Sequence, residues 1–264
     1  MLAKWQSAGA TEEEFWSASD PQDHKEAYGK TSGEDDALWR RHVPNPRSLL
    51  KLAGNPFMLT MLYQVRVREG SLPKNRGELF DRFIRRLLSR EGLLARDTQT
   101  GEWHMHPAGQ KLLDGLAAVA WGMRTSTVVL KTAAGAVLGV GGLKKALDST
   151  ILEGGDELRF RHQLLQEYFM ARELRRMGLQ PPARELWRGP KWWERNGLEE
   201  TAVLLAGLYS EDCTPVIRWL GEAQPEVAAQ CIAESGAEVL DQAGLLGEMQ
   251  RLWQPRLLGE AEPE

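Results

Sequence analysis

The clearest β signal in this sequence is one short hairpin. Thr150-Ile151-Leu152 and Leu158-Arg159-Phe160-Arg161 are joined by the turn Glu153-Gly154-Gly155-Asp156, and the second arm alternates with the period of two expected of a half-buried strand. A lone hairpin has too little apolar face to organise a domain, so this chain has to build its core from helices. Helical signals surround it. Asn45-Pro46 and Asn55-Pro56 each set a capping Asn before a Pro, the order favoured where helices start. The stretch after Pro56 carries Phe57, Met58, Leu59, Met61, Leu62 and Val65, nearly apolar all round, which predicts a buried helix ending near Glu69-Gly70. Asn75-x-x-Glu78 reads as a capping box. The helix it opens buries Leu79, Phe80, Phe83, Ile84, Leu87 and Leu88 and sets Arg82, Arg85, Arg86 and Arg90 along its other side.

Leu112 to Met123 reads as a further amphipathic helix, whereas 125–142, rich in Gly, Ala, Val and Thr, gives no firm assignment. A short helix at Leu143–Leu147 precedes the hairpin. A long one from about Gln163 to Met177 follows it, with Leu164, Tyr168, Ala171 and Leu174 on one face. Helices closed by a small hairpin and another helix predict a winged-helix-like module. After Pro181-Pro182 come short helices at Leu198–Leu208, Pro215–Leu220, Pro225–Ala233 and Val239–Trp253. Pairs of this kind predict a short, HEAT-like α-solenoid of about two repeats, with Trp187, Trp192 and Trp193 as the plug that starts its core. The expected fold is mainly α, in five parts: a lead-in at 1–39 with little to order it, a helical subdomain at 40–77, the winged-helix-like module at 78–180, repeats at 181–254 and an acidic tail at 255–264.

Composition narrows the function. The longest uncharged stretch, Thr132 to Leu143, is too short for the roughly 20 residues a membrane span requires. No positively charged leader with an apolar core opens the chain, so a cytoplasmic protein away from membranes is expected. Cys213 and Cys231 make neither a disulfide framework nor a zinc site by themselves and read as reduced core residues. The net charge of −4 conceals a division, because 40–96 carries 13 Lys/Arg against 4 Asp/Glu and 197–264 carries 3 against 13. Such halves can face each other, or the basic one can face phosphates; the simpler reading is solvated faces with weak mutual attraction.

A search for catalytic chemistry yields none. Gly29-Lys30-Thr31 lacks the glycine that a phosphate loop needs where His24 stands, and Lys144 interrupts the glycines at 139, 141 and 142. His104-x-His106 has no Cys or acidic partner at a metal-ligand spacing and reads as surface histidines. Glu167 is expected to face solvent or to pair with Arg172 or Arg159. No serine sits in a nucleophile elbow. The expectation is therefore no enzyme, no metal and no cofactor held by this chain alone. The arginine stripe, with Gln163, Gln166, Arg172, Arg175 and Arg176 on the long helix, admits a winged-helix DNA-binding regulator with a helical sensor tail. Its pI near 5.9 and acidic tail weigh against that reading.

Three motifs carry a resemblance. Asn55-Pro56-Phe57-Met58-Leu59-Thr60-Met61-Leu62, followed by Gly70 to Phe80, resembles the helical subdomain of bacterial NACHT proteins. Phe160-Arg161-His162-Gln163-Leu164-Leu165-Gln166-Glu167-Tyr168-Phe169-Met170-Ala171-Arg172 resembles their winged-helix signature, and Glu199 to Leu208 their first helical repeats. The resemblance spans roughly 40–235 and implies the regulatory part of a signal-transduction ATPase of the STAND class, of which bacterial members often act against phage. It implies that Pro56 lies near the adenine and that His162 meets the ADP phosphates in the closed state; the residues themselves equally allow His162 to hydrogen-bond neighbouring backbone and lock the hairpin to the helix, and Pro56 to be simply the first residue of a helix. It further implies a protein ligand for the repeats and an ATPase core supplied in cis or in trans. No Walker A loop and no strand ending in acidic residues occur in the 264 residues, so the parts that cradle phosphates and Mg²⁺ are missing and ADP or ATP would bind only together with a P-loop core. A stand-alone helical protein-interaction module is the remaining alternative.

Overall fold

The computed structural model describes residues 55–71, 73, 75–97, 103–180, 182–187 and 196–257. The lead-in at 1–39, Asn45-Pro46, Trp192, Trp193 and residues 258–264 lie outside them. The described residues are mainly helical, with ten helices and two small antiparallel sheets. Helix α1 (Pro56–Glu69) starts where the Asn-Pro pair places it: Asn55 Oδ1 accepts from the N–H groups of Phe57 and Met58. It is not buried all round. Met58, Met61, Leu62 and Val65 form the inward stripe at helical spacing, while Val67 is 47% exposed, because α1 packs chiefly on α2. Helix α2 (Arg76–Arg90) is capped by Asn75, whose Oδ1 accepts from the Glu78 N–H. The Glu78 carboxylate holds Arg82.

Strands β1 (Leu94–Arg96) and β2 (Trp103–Met105) then pair as a hairpin that the sequence reading lacked. Helix α3 (Pro107–Gly122) begins five residues earlier than expected, because His106 Nδ1 accepts from the Ala108 N–H and Pro107 occupies the first turn. The stretch without assignment forms β3 (Val129–Leu130) and α4 (Lys131–Asp148), with Gly139 at φ 69° breaking α4 in two. The predicted hairpin is present as β4 (Leu152–Gly154) and β5 (Glu157–Phe160), and β5 lies between β3 and β4 in one antiparallel sheet. Gly154 has φ 132°, and a Cβ there would meet the Glu157 carbonyl oxygen at 2.1 Å, so the turn requires glycine.

Helix α5 (Gln163–Arg176) packs against α3 on one side and α7 (Glu199–Leu208) on the other. It is consequently buried from Leu165 to Ala171 without a break, rather than along one face. A short α6 (Ala183–Leu186) leads to Trp187, which is buried and meets Trp219 edge to face at 5.6 Å between ring centroids. The tail continues with α8 (Thr214–Gly221), α9 (Pro225–Glu234) and α10 (Gln242–Leu257). Because α10 runs on to Leu257, the expected tail boundary at 255 moves outward. Cys213 and Cys231 are free and buried. No helix among the described residues is long and apolar enough to cross a membrane.

Candidate functional site

Two helix N-termini far apart in sequence meet at one place. His162 follows β5 in extended backbone and caps α5, its Nδ1 accepting from the Leu164 N–H at 3.2 Å. A ring whose Nδ1 accepts carries its proton on Nε2. Burial lowers the His162 pKa below 6.5, which favours that neutral form at pH 7. The ring lies flat on Phe57, the second residue of α1, with centroids 4.2 Å apart and planes 5° from parallel. Pro56, one residue before Phe57, is exposed. The two nominated residues, Pro56 and His162, therefore belong to adjoining helix starts linked by the Phe57 ring. Phe57 itself read only as a core residue in the sequence.

This locus has a restricted chemistry. Asn55 already occupies the N–H groups of Phe57 and Met58 at the start of α1, and His162 that of Leu164. The locus presents the Nε2–H donor, one aromatic stack and the exposed face of Pro56. These can touch a flat or anionic group held by something else.

A second junction joins the basic segment to the acidic one. Gly77, in the first turn of α2, lies against Gly207 near the end of α7: a Cβ on Gly77 would stand 2.5 Å from the Gly207 carbonyl carbon. Beside it, Arg76 is 8% exposed and bridges Glu200 of α7 at 2.7 Å and Glu234 of α9 at 3.2 Å. Sequence reasoning anticipated facing halves but not Arg76, Gly77 or Gly207. The signal was present in the regional charge alone.

The arginine stripe is paired within the protein. Arg82 binds Glu78 and Glu69, Arg85 binds Asp81, Arg86 donates to the Gln64 carbonyl and Arg90 pairs with Glu91. On α5, Gln166 is buried and donates to the carbonyls of Met123 and Ser126. Arg172 donates to Asp81 and to the Tyr168 hydroxyl, whose proton is held by burial and the neighbouring carboxylate. Arg176 is bound to Glu173, and Arg175 lies over the Tyr209 ring. Glu167 corrects the expectation made for it. Arg172 turns to Asp81 and Arg159 to Glu153, leaving Glu167 6% exposed with Oε1 accepting from Gln163 and Oε2 without a partner. Burial, reinforced by Glu200 and Glu199, pushes its pKa up to about 7 against the pull of the Gln163 hydrogen bond. His104 is exposed on β2, and among the described residues no cluster of His, Cys, Asp and Glu is arranged to hold a metal.

In comparison with known proteins, no family model and no curated protein matches this chain.

Proposed function

We propose that this chain is the regulatory and sensor portion of a NACHT-type signal-transduction ATPase, with nucleotide state read at His162 and Pro56 and a protein ligand read by the tail. The observation that carries this reading is the Phe57–His162 stack, which joins the starts of α1 and α5, the two places where the resemblance expects nucleotide. The element order also supports it. Helix α3, strand β3, the broken helix α4 and the β4–β5 hairpin, with β5 central in the sheet, follow the order of a winged helix. The helices α7 to α10 follow as two successive pairs, the arrangement of a short HEAT-like array. Hydrolysis is not part of the proposal. Phosphates would need a P-loop core, in cis or in trans, and the chain would act in the cytoplasm, with bacterial antiphage defence as the setting the resemblance suggests.

The DNA-binding alternative is weaker, because Gln166 and Arg172 are spent on internal partners and the stripe on α2 is paired. Base readout needs such groups free at a groove. The test is calorimetry of ADP and ATP with the chain alone and with a NACHT-type P-loop core added in trans. Silence alone, ADP binding with the core, and loss of that binding in His162→Ala are expected. Tight binding by the chain alone, or silence in both arms, would overturn the proposal.

A further inference from the structure

The tail carries an open apolar groove of about 880 Å³ between α8, α9 and α10. Ile217, Ala228, Ile232, Leu245, Met249 and Trp253 form its walls. The polar side chains that reach it are the neutral amides of Gln242, Gln250 and Gln254. Leu246, on its edge, is 61% exposed. An apolar surface of this kind, framed by polar residues, marks an interaction site. Helix α10 alone has 16 residues, a length of about 24 Å, so the groove has room for three or four turns of a partner helix.

Charge identifies the partner. Glu226 follows the lining residue Pro225, Asp241 precedes Gln242 and Glu248 precedes Met249. Glu226 and Asp241 are exposed. Against these carboxylates stand Arg218, already shared between Asp241 and Glu248, and Arg251. Residues 197–257 as a whole carry ten Asp/Glu against three Lys/Arg. We infer that the α8–α10 groove binds an amphipathic helix of a partner protein whose apolar stripe is flanked by Lys and Arg. This is a helix-in-groove mode of recognition, with the acidic rim steering a basic partner. It rests on the reading of the tail as a partner-binding array and states where the partner sits.

The probe is a fluorescein-labelled peptide of Leu and Lys, about four turns long with Leu at helical spacing, beside a peptide with Glu in place of every Lys. Anisotropy with the full chain is expected to show the Leu–Lys peptide binding at least about tenfold tighter than its Glu counterpart. Leu246→Glu separates the groove from charge alone. It makes the rim more acidic, so simple attraction would strengthen binding, whereas a filled groove predicts a loss of about tenfold or more. Leu240→Glu, at an exposed residue outside the lining, adds the same charge and is expected to bind at least as tightly as the parent. Because Leu246 is largely exposed, the variant should keep the parent's circular dichroism. Equal binding of both peptides, no binding, or stronger binding by Leu246→Glu would overturn the inference. So would a dimer dissolved by that variant, which would give the groove to a second copy. Loss of ADP binding with the core would strike the nucleotide reading while leaving the peptide result standing, and the reverse pattern would strike the groove alone.

Discussion

Glu167 gives the sharpest test of how α5 is buried. Its carboxyl moves from an ordinary 4.5 to about 7, so the folded chain binds a proton more tightly than the unfolded chain does. Between those two values the native state holds more protons, and stability falls as pH rises through the window. Below the unfolded value the contribution vanishes; above pH 7 the destabilisation is complete. Integrated from pH 5 to pH 8, the loss is about 2.5 kcal/mol. Glu167→Gln removes the titration, and the added amide N–H, worth up to about 1–3 kcal/mol if it finds no acceptor, contributes a term that does not depend on pH. The measurement is therefore a difference of differences: urea unfolding of both proteins by circular dichroism at pH 5, 6, 7 and 8. Groups elsewhere titrate alike in parent and variant and cancel. The variant is expected to gain about 2 kcal/mol on the parent across the range, most of it between pH 5 and 7. Parallel profiles would refute the reasoning, since they would mean that Oε2 finds water or a cation in solution.

Two further predictions concern the α2–α7 junction. Gly77→Ala would drive a methyl into the Gly207 backbone, which cannot yield as a flexible side chain does, and should cost about 1–3 kcal/mol, read as a lowered urea midpoint with an unchanged slope. Arg76→Ala strands Glu200 and Glu234, which are 27% and 19% exposed at the side chain. Roughly 2–3 kcal/mol is expected, below the 3–5 of a fully buried pair, and a cycle with Glu200→Gln should recover a coupling of at least about 0.5 kcal/mol.

Local signals made much of the fold legible. Asn55-Pro56 and Asn75 fix helix starts through their own side chains, and the β4–β5 hairpin announces itself by alternation and by Gly154. Each is a short-range effect that one sequence carries. What was not legible depends on partners distant in the chain. Helix α4 contains glycines at 135, 139, 141 and 142, a poor helix composition. It forms because Ala134, Leu138 and Ala146 are buried, with Leu138 approaching Gly115 of α3 so closely that a Cβ there would lie 2.8 Å from its Cδ2. Strands β1 and β2 are three residues each, too short for period two to show. Glu167 was misread because nothing in the α5 sequence tells that a second layer, α7, covers its outer side. The site was legible unevenly: Pro56 and His162 came from resemblance, whereas Phe57, which links them, looked like core.

These contacts converge on one helix. Consecutive turns of α5 present His162 to α1, Gln166 to the loop after α3, Glu167 to the start of α7, and Tyr168 and Arg172 to Asp81 of α2. The α2 helix is in turn locked to α7 by Gly77 and Arg76. A helix whose interior hydrogen bonds are intact moves as a rod, so a shift at the His162 end carries the whole set with it. The Gln166 bonds are the ones least able to yield, because they are direct, buried and made to backbone carbonyls. Glu167, covered on its outer side by α7, is held by the Gln163 hydrogen bond on its own helix. A push at His162 is therefore carried to α3 and to α7 alike, since α5 packs as closely on one as on the other.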